Sequence, residues 1–114
     1  MALRKRKIVL GVSGGIAAYK AVELLRLLTK ERATVYVVMS ANADKFVTPL
    51  TFEALSGNPV YHQVFDSASS SLMEHIRVAE SADLLVVAPA TASTIGKMAN
   101  GLADDALSNV FAAF

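Results

Sequence analysis

The chain has 114 residues, 54% of them apolar and 18% charged, with a formal net charge of +1 and no cysteine. That length suits one compact domain, and the composition excludes a disordered chain. The balanced charge gives no electrostatic case for nucleic acid, and the lack of cysteine excludes a disulfide framework and a thiolate metal site.

In chain order, Arg4-Lys5-Arg6-Lys7 reads as a solvated lead-in rather than a signal peptide, because Gly and Ser soon break the apolar run that follows. Lys7–Val12 is a short Ile/Val-rich run and predicts a buried strand. From Ile16 the period becomes helical. Ala17, Ala18, Ala21, Leu24, Leu25 and Leu28 share one face, and Lys20, Glu23, Arg26 and Lys30 lie elsewhere. Thr34–Met39 predicts the next strand, so strand, helix and strand fit in about thirty residues, the size of a βαβ unit. Thr48 and Pro49 open a helix over Leu50–Leu55 that Gly57 closes. Residues 60–65 predict a short edge strand, Ser67–Ser71 a polar loop and 74–82 a short helix. Residues 83–90 predict a third buried strand. Thr91–Asn100 is helical with Gly101 as its stop, and Asp104 starts a last helix. No segment reaches bilayer length. Near-continuous apolar strands alternating with helices predict a doubly wound α/β domain, Rossmann-like or flavodoxin-like, with a parallel sheet covered by helices on both faces. The chain ends on an apolar helix with no final strand, so the sheet is expected to be C-terminally incomplete.

Ligands of such sheets bind beyond the carboxyl ends of the strands. The three ends here carry Ser13-Gly14-Gly15-Ile16, Ser40-Ala41-Asn42 and Ala88-Pro89-Ala90-Thr91-Ala92-Ser93-Thr94, rich in small and hydroxyl residues and free of charge clusters. Glycines allow close backbone approach, and the helix that follows offers free N–H groups and a partial positive charge. The first turn therefore predicts a phosphate cradle without a lysine, with the hydroxyls of Ser13 and Ser40 completing its hydrogen bonds. A plain tight turn is the alternative. A Walker A loop fails because Ile16-Ala17-Ala18 follows Gly15. A dinucleotide fingerprint fails on the spacing of Gly11, Gly14 and Gly15 and on Ser40 where an acid should end the second strand. A pyrophosphatase-type SGGxDS loop fails at Ala17. His62 is given no role. On physical grounds alone His75 is open between a structural and a functional role, no nucleophile forms a triad with it, and two histidines so far apart make a poor metal site.

The stretches KIVLGVSGGIAAYK, PLTFEALSGNPV and MEHIRVAESADLLVVAPATASTIGKMANGLADD resemble the flavin-dependent cysteine decarboxylase family, in particular the phosphopantothenoylcysteine decarboxylase domains of bacterial bifunctional coenzyme A biosynthesis proteins. The likeness covers nearly the whole chain in order. It implies FMN as cofactor, with Ser13, Gly14, Gly15, Ile16, Ser40 and Asn42 around its phosphate and Ala90, Thr91, Ala92, Ser93 and Thr94 along the ribityl chain and ring. It implies His75 as the catalytic base, phosphopantothenoylcysteine as substrate, and a lyase assembled as a homo-oligomer built from trimers, with the flavin lying between neighbouring subunits; the lack of cysteine, for its part, suits a cytoplasmic protein. In the chemistry it implies, the Cβ–S unit is oxidised to a thioaldehyde, CO₂ leaves, and the electrons are then returned, giving net non-redox decarboxylation; the cofactor carries the chemistry and the protein orients it.

The family pattern continues with a strand ending in Pro-x-Met-Asn, whose Asn binds the substrate carboxylate, and with a flap cysteine that donates a proton. Neither is among these residues. The expectation is that residues 1–114 are a single FMN-binding domain, the N-terminal part of a decarboxylase domain, and do not decarboxylate alone. Two other readings stay open. One is another FMN-binding family member, a peptidyl-cysteine decarboxylase or a flavin prenyltransferase. The other is a non-catalytic flavin-binding regulatory subunit.

Overall fold

The Ile/Val-rich run predicted as the first strand forms β1 (Lys7–Val12) at the centre of a parallel sheet ordered β2-β1-β3. The computed structural model describes residues 3–62 and 69–114, without the side chains of residues 69–73 and of His75. The remaining elements are α1 (Ala18–Lys30), β2 (Thr34–Met39), a 3₁₀ turn at Ala43–Lys45, α2 (Pro49–Ser56), α3 (Ser69–Ser81), β3 (Leu84–Val87), α4 (Ala92–Ala99) and α5 (Ala106–Ala113). β2 pairs along β1 from Lys7 opposite Thr34 to Val12 opposite Met39, and β3 from Ile8 opposite Leu84 to Gly11 opposite Val87.

Strand alternation divides the core in two. Ile8, Leu10 and Val12 of β1 and Val35, Val37 and Met39 of β2 pack with Ala18, Ala21 and Leu25 of α1 and Phe52 of α2. On the opposite face Val9 and Val38 pack with Ala79 of α3 and with Ala106, Leu107 and Val110 of α5. Gly11 makes that second layer possible: a Cβ there would stand 2.5 Å from Leu107 Cδ1 and 3.3 Å from Val87 Cγ2. The sheet is thus doubly wound, as the alternation predicts. No helix among the described residues is long and apolar enough to cross a membrane.

Local signals set several boundaries. Thr48 caps α2 by accepting from the Thr51 N–H, Pro49 occupies its first turn, and Gly57 ends it at φ 74°. Several expectations differ from the structure, among them the third strand, which spans Leu84–Val87 within the expected 83–90. α3 starts at Ser69, so Ser69–Ser71 are helical and not loop; Leu72, Ile76 and Ala79 fall at i, i+4 and i+7, which carries the helical pattern back to the serines. The last helix is capped by Asp105 and not Asp104, because Ser108 three residues on closes a reciprocal capping box. β3 is half-buried rather than buried, with Leu84 49% exposed, because among the described residues it pairs on one side only, with β1. Of the edge strand expected over 60–65, Tyr61 forms a parallel bridge opposite Val38; residues 63–65 lie outside the described residues, as do Ser67 and Ala68.

Candidate functional site

With β1 central, its carboxyl end is flanked by those of β2 and β3, and backbone hydrogen bonds join the three. Ser40 N–H donates to Val12 O at 2.9 Å, Ala88 N–H to Gly11 O at 2.9 Å, and Ser13 N–H to Pro89 O at 3.2 Å. The Ser13 hydroxyl donates to Pro89 O and accepts from the Thr91 N–H at 2.9 Å. Gly14 lies so close to the β2 end that a Cβ would meet the Asn42 carbonyl carbon at 2.8 Å. Residues 13–16, 40–42 and 88–94 therefore form one surface. His75 lies within α3, and its side chain lies outside the described residues.

The candidate residues divide by what their side chains do. Ser13 is fully buried, and its hydroxyl bonds to the β3 loop on both sides, as donor and as acceptor. The strand-end serine satisfies backbone groups that burial would otherwise orphan. Thr94 is buried too, and its hydroxyl accepts from that of Thr91 at 3.3 Å. Thr91 caps α4 through the Thr94 N–H at 3.2 Å. Ser40 is buried, Gly14, Gly15 and Thr91 are half-buried, and Ile16, Asn42, Ala90, Ala92 and Ser93 are exposed.

Sequence reasoning missed Asp105. Its Oδ1 accepts from Ser108 N–H at 3.0 Å and from Ser108 Oγ at 2.6 Å, while Oδ2 accepts from Ala41 N–H at 3.0 Å. Lys97 Nζ stands 3.7 Å from the same Oδ2 and 3.2 Å from Asp104 Oδ1. Burial pushes the Asp105 carboxyl up, but the Ser108 hydroxyl and N–H, the Ala41 N–H and the Lys97 ammonium outweigh it and hold the group below its ordinary range. The hydrogen bond to Asp104 raises the Lys97 ammonium above its usual range against a smaller opposing effect of burial, and Asp105 adds to the rise. The Asp105-x-x-Ser108 spacing was readable as a capping box. The bond to Ala41 was not, because it spans 64 positions.

The surface has the donors for an anionic group. α2, α4 and α5 have side-chain caps, whereas α1 begins after Ala17 with none. Among the described residues, no hydrogen bond is made by the N–H groups of Gly14, Gly15, Ile16 or Ala17. Among the described residues, a Cβ on Gly15 would find only Thr91 Cγ2, at 3.6 Å, so space beside that backbone is open toward them. Unpaired N–H groups at a helix N-terminus, with the helix dipole behind them, favour a phosphate. The residues present therefore fit a phosphate-bearing cofactor.

The structure is similar to that of the FMN-dependent cysteine decarboxylase TvaF from thioviridamide biosynthesis, at TM-score 0.86 and 26% identity, over 95% of this chain and 67% of that one. It is also similar to the FMN-dependent cysteine decarboxylase SpaF, at TM-score 0.81 and 27% identity, over 97% of this chain and 64% of that one. In sequence it is 50% identical over 111 residues to the coenzyme A biosynthesis bifunctional protein CoaBC of Vibrio cholerae, covering 97% of this chain and 28% of that protein. It is 50% identical to CoaBC of Bacillus subtilis, covering 97% of this chain and 27% of that protein, and 48% identical to CoaBC of Escherichia coli, covering 96% and 27%. The chain thus spans little more than a quarter of the curated relatives it matches. The Flavoprotein family model matches residues 1–114, and the chain belongs to the Flavoprotein family.

Proposed function

We propose that residues 1–114 form an FMN-binding domain that serves the decarboxylation of 4'-phosphopantothenoylcysteine to 4'-phosphopantetheine in coenzyme A biosynthesis. The observation that carries the reading is the uncapped α1 N-terminus beside the open face of Gly15, in a chain 50% identical to CoaBC proteins. The higher identity to CoaBC than to TvaF, 50% against 26%, favours this substrate over that of the thioviridamide enzyme.

In this reading the backbone N–H groups of Gly14, Gly15 and Ile16 hold the FMN phosphate, with Asn42 and Ser40 at its β2 side. Ala90, Thr91, Ala92 and Ser93 line the ribityl chain and ring. Ser13 and Thr94 act from behind: Ser13 locks the β1 turn to the β3 loop, and Thr94 fixes the Thr91 cap. FMN, when bound, supplies a two-electron acceptor and donor for the cysteinyl unit. His75 is the base and substrate-orienting group, a role that imidazole side chains commonly fill. The working protein is a cytoplasmic, trimer-based homo-oligomer, in which neighbouring subunits close the site around the flavin.

The test is a titration of the purified protein with FMN, followed by flavin fluorescence and the visible spectrum. FMN should be taken up and ATP should not; a folded protein that binds ATP tightly and ignores FMN sinks the proposal. In the natural full-length protein, His75→Asn should abolish CO₂ release from phosphopantothenoylcysteine and leave FMN uptake largely intact. Near-normal turnover in that variant removes His75 from the reaction.

A further inference from the structure

Asp105 holds a carboxylate, 7% exposed, that none of the roles above uses. A helix cap needs one side-chain oxygen, and Oδ1 supplies it to Ser108. Oδ2 faces away from the cap, toward the Ala41 N–H. Ala41 lies between Ser40, hydrogen-bonded to Val12 O, and Asn42, whose backbone is in contact range of the Gly14 turn. Lys97, the cation on Oδ2, stands on α4, the helix that begins at the Thr91 cap beside Ala92 and Ser93. One buried carboxylate therefore joins the β2 end, α4 and α5, and reaches the β1 turn through Asn42.

We propose that Asp105, paired with Lys97, is a positioning residue for the FMN phosphate: it sets the gap between the β1 and β2 ends without touching the ligand. The inference rests on the FMN reading above. A charge-assisted bond to a backbone N–H is stronger than a neutral one. Without it the Ala41 N–H loses its partner, and the wall against Gly14 can shift.

Two variants separate positioning from capping. With its oxygen on the Ser108 N–H, Asp105→Asn keeps a good cap, because Asn caps helices about as well as Asp. Its amide has a single oxygen, however, so one of the Ser108 and Ala41 N–H groups must face its NH₂ group. Ser108→Ala instead removes the hydroxyl that accepts from the Asp105 N–H and donates to Asp105 Oδ1, and leaves the Ala41 bond. Three quantities are measured: FMN affinity, the thermal midpoint, and hydrogen exchange of the Ala41 amide without FMN. Asp105→Asn should weaken FMN about tenfold, the order of one lost hydrogen bond to a charged group, and should speed Ala41 exchange. Ser108→Ala should lower the thermal midpoint while FMN affinity stays within about twofold of wild type. Wild-type FMN affinity in Asp105→Asn, or equal weakening in Ser108→Ala, overturns the proposal. Failure of the FMN reading shows separately, as a wild-type protein that ignores FMN. Ala41 exchange then still decides the tether, and wild-type protection in Asp105→Asn overturns it.

Discussion

Gly14 and Gly15 are adjacent, yet the structure gives them different reasons to be glycine, and alanine at each should tell them apart. A Cβ on Gly14 would stand 2.8 Å from the Asn42 carbonyl carbon and 3.0 Å from its oxygen. Carbon atoms prefer about 3.5–4.0 Å, so the β2-end loop must retreat by roughly 0.7 Å or more. That loop is held by the Ser40 bond to Val12 and the Ala41 bond to Asp105, at 2.9 and 3.0 Å. Overpacking of this kind costs about 1–3 kcal/mol. Restricting the unfolded chain with alanine returns about 0.4–1 kcal/mol. The net loss for Gly14→Ala is about 1–2 kcal/mol, a fall in thermal midpoint of roughly 4–10 °C. Among the described residues a Cβ on Gly15 meets only a methyl group at 3.6 Å, and Gly15 has no positive φ to strain it. Gly15→Ala should therefore be as stable as wild type or gain up to about 1 kcal/mol, and should lose FMN affinity because the methyl fills the approach to the free N–H groups. Urea unfolding measures the first effect and fluorescence titration with FMN the second. A fully stable Gly14→Ala would refute the close approach to Asn42. Unchanged FMN binding by Gly15→Ala would refute the cradle.

Two further outcomes follow from the packing and the charges. Gly11→Ala forces Leu107, which is fully buried, out of its seat on β1; it should cost about 1–3 kcal/mol and couple to Leu107→Ala by about 0.5–3 kcal/mol in a double-mutant cycle, whereas additive losses would show that α5 does not rest there. Asp105 has a depressed folded pKa, so its stabilisation is complete above the ordinary carboxylate range and is lost as pH falls through the folded value. Thermal midpoints followed into acid should fall less steeply for Asp105→Asn than for wild type, and parallel acid limbs would count against an ionised Asp105 in the fold.

The sequence by itself determined the elements whose causes are local. β1 and β2 have the predicted bounds because β-branched runs mark strands that are buried on both faces. α2 and α4 begin at Thr48 and Thr91 because a hydroxyl before a helix satisfies an N–H that has no partner inside it. The three strand-end loops were legible as a site because a parallel sheet brings its carboxyl ends to one edge. What the tertiary structure decided depends on contacts between distant parts of the chain. Only the sheet order shows that Ser13 turns inward, since the atoms it satisfies belong to Pro89 and Thr91. β3 reads as a buried strand in its composition, and its half-exposure depends on which strands pair with it. Gly11 looks like a misplaced member of a glycine motif until Leu107 is packed over it. Asp105 is a helix cap in sequence and becomes a tether to the site only when α5 lies across the β2 end, because a carboxylate has two oxygens and the cap engages one of them.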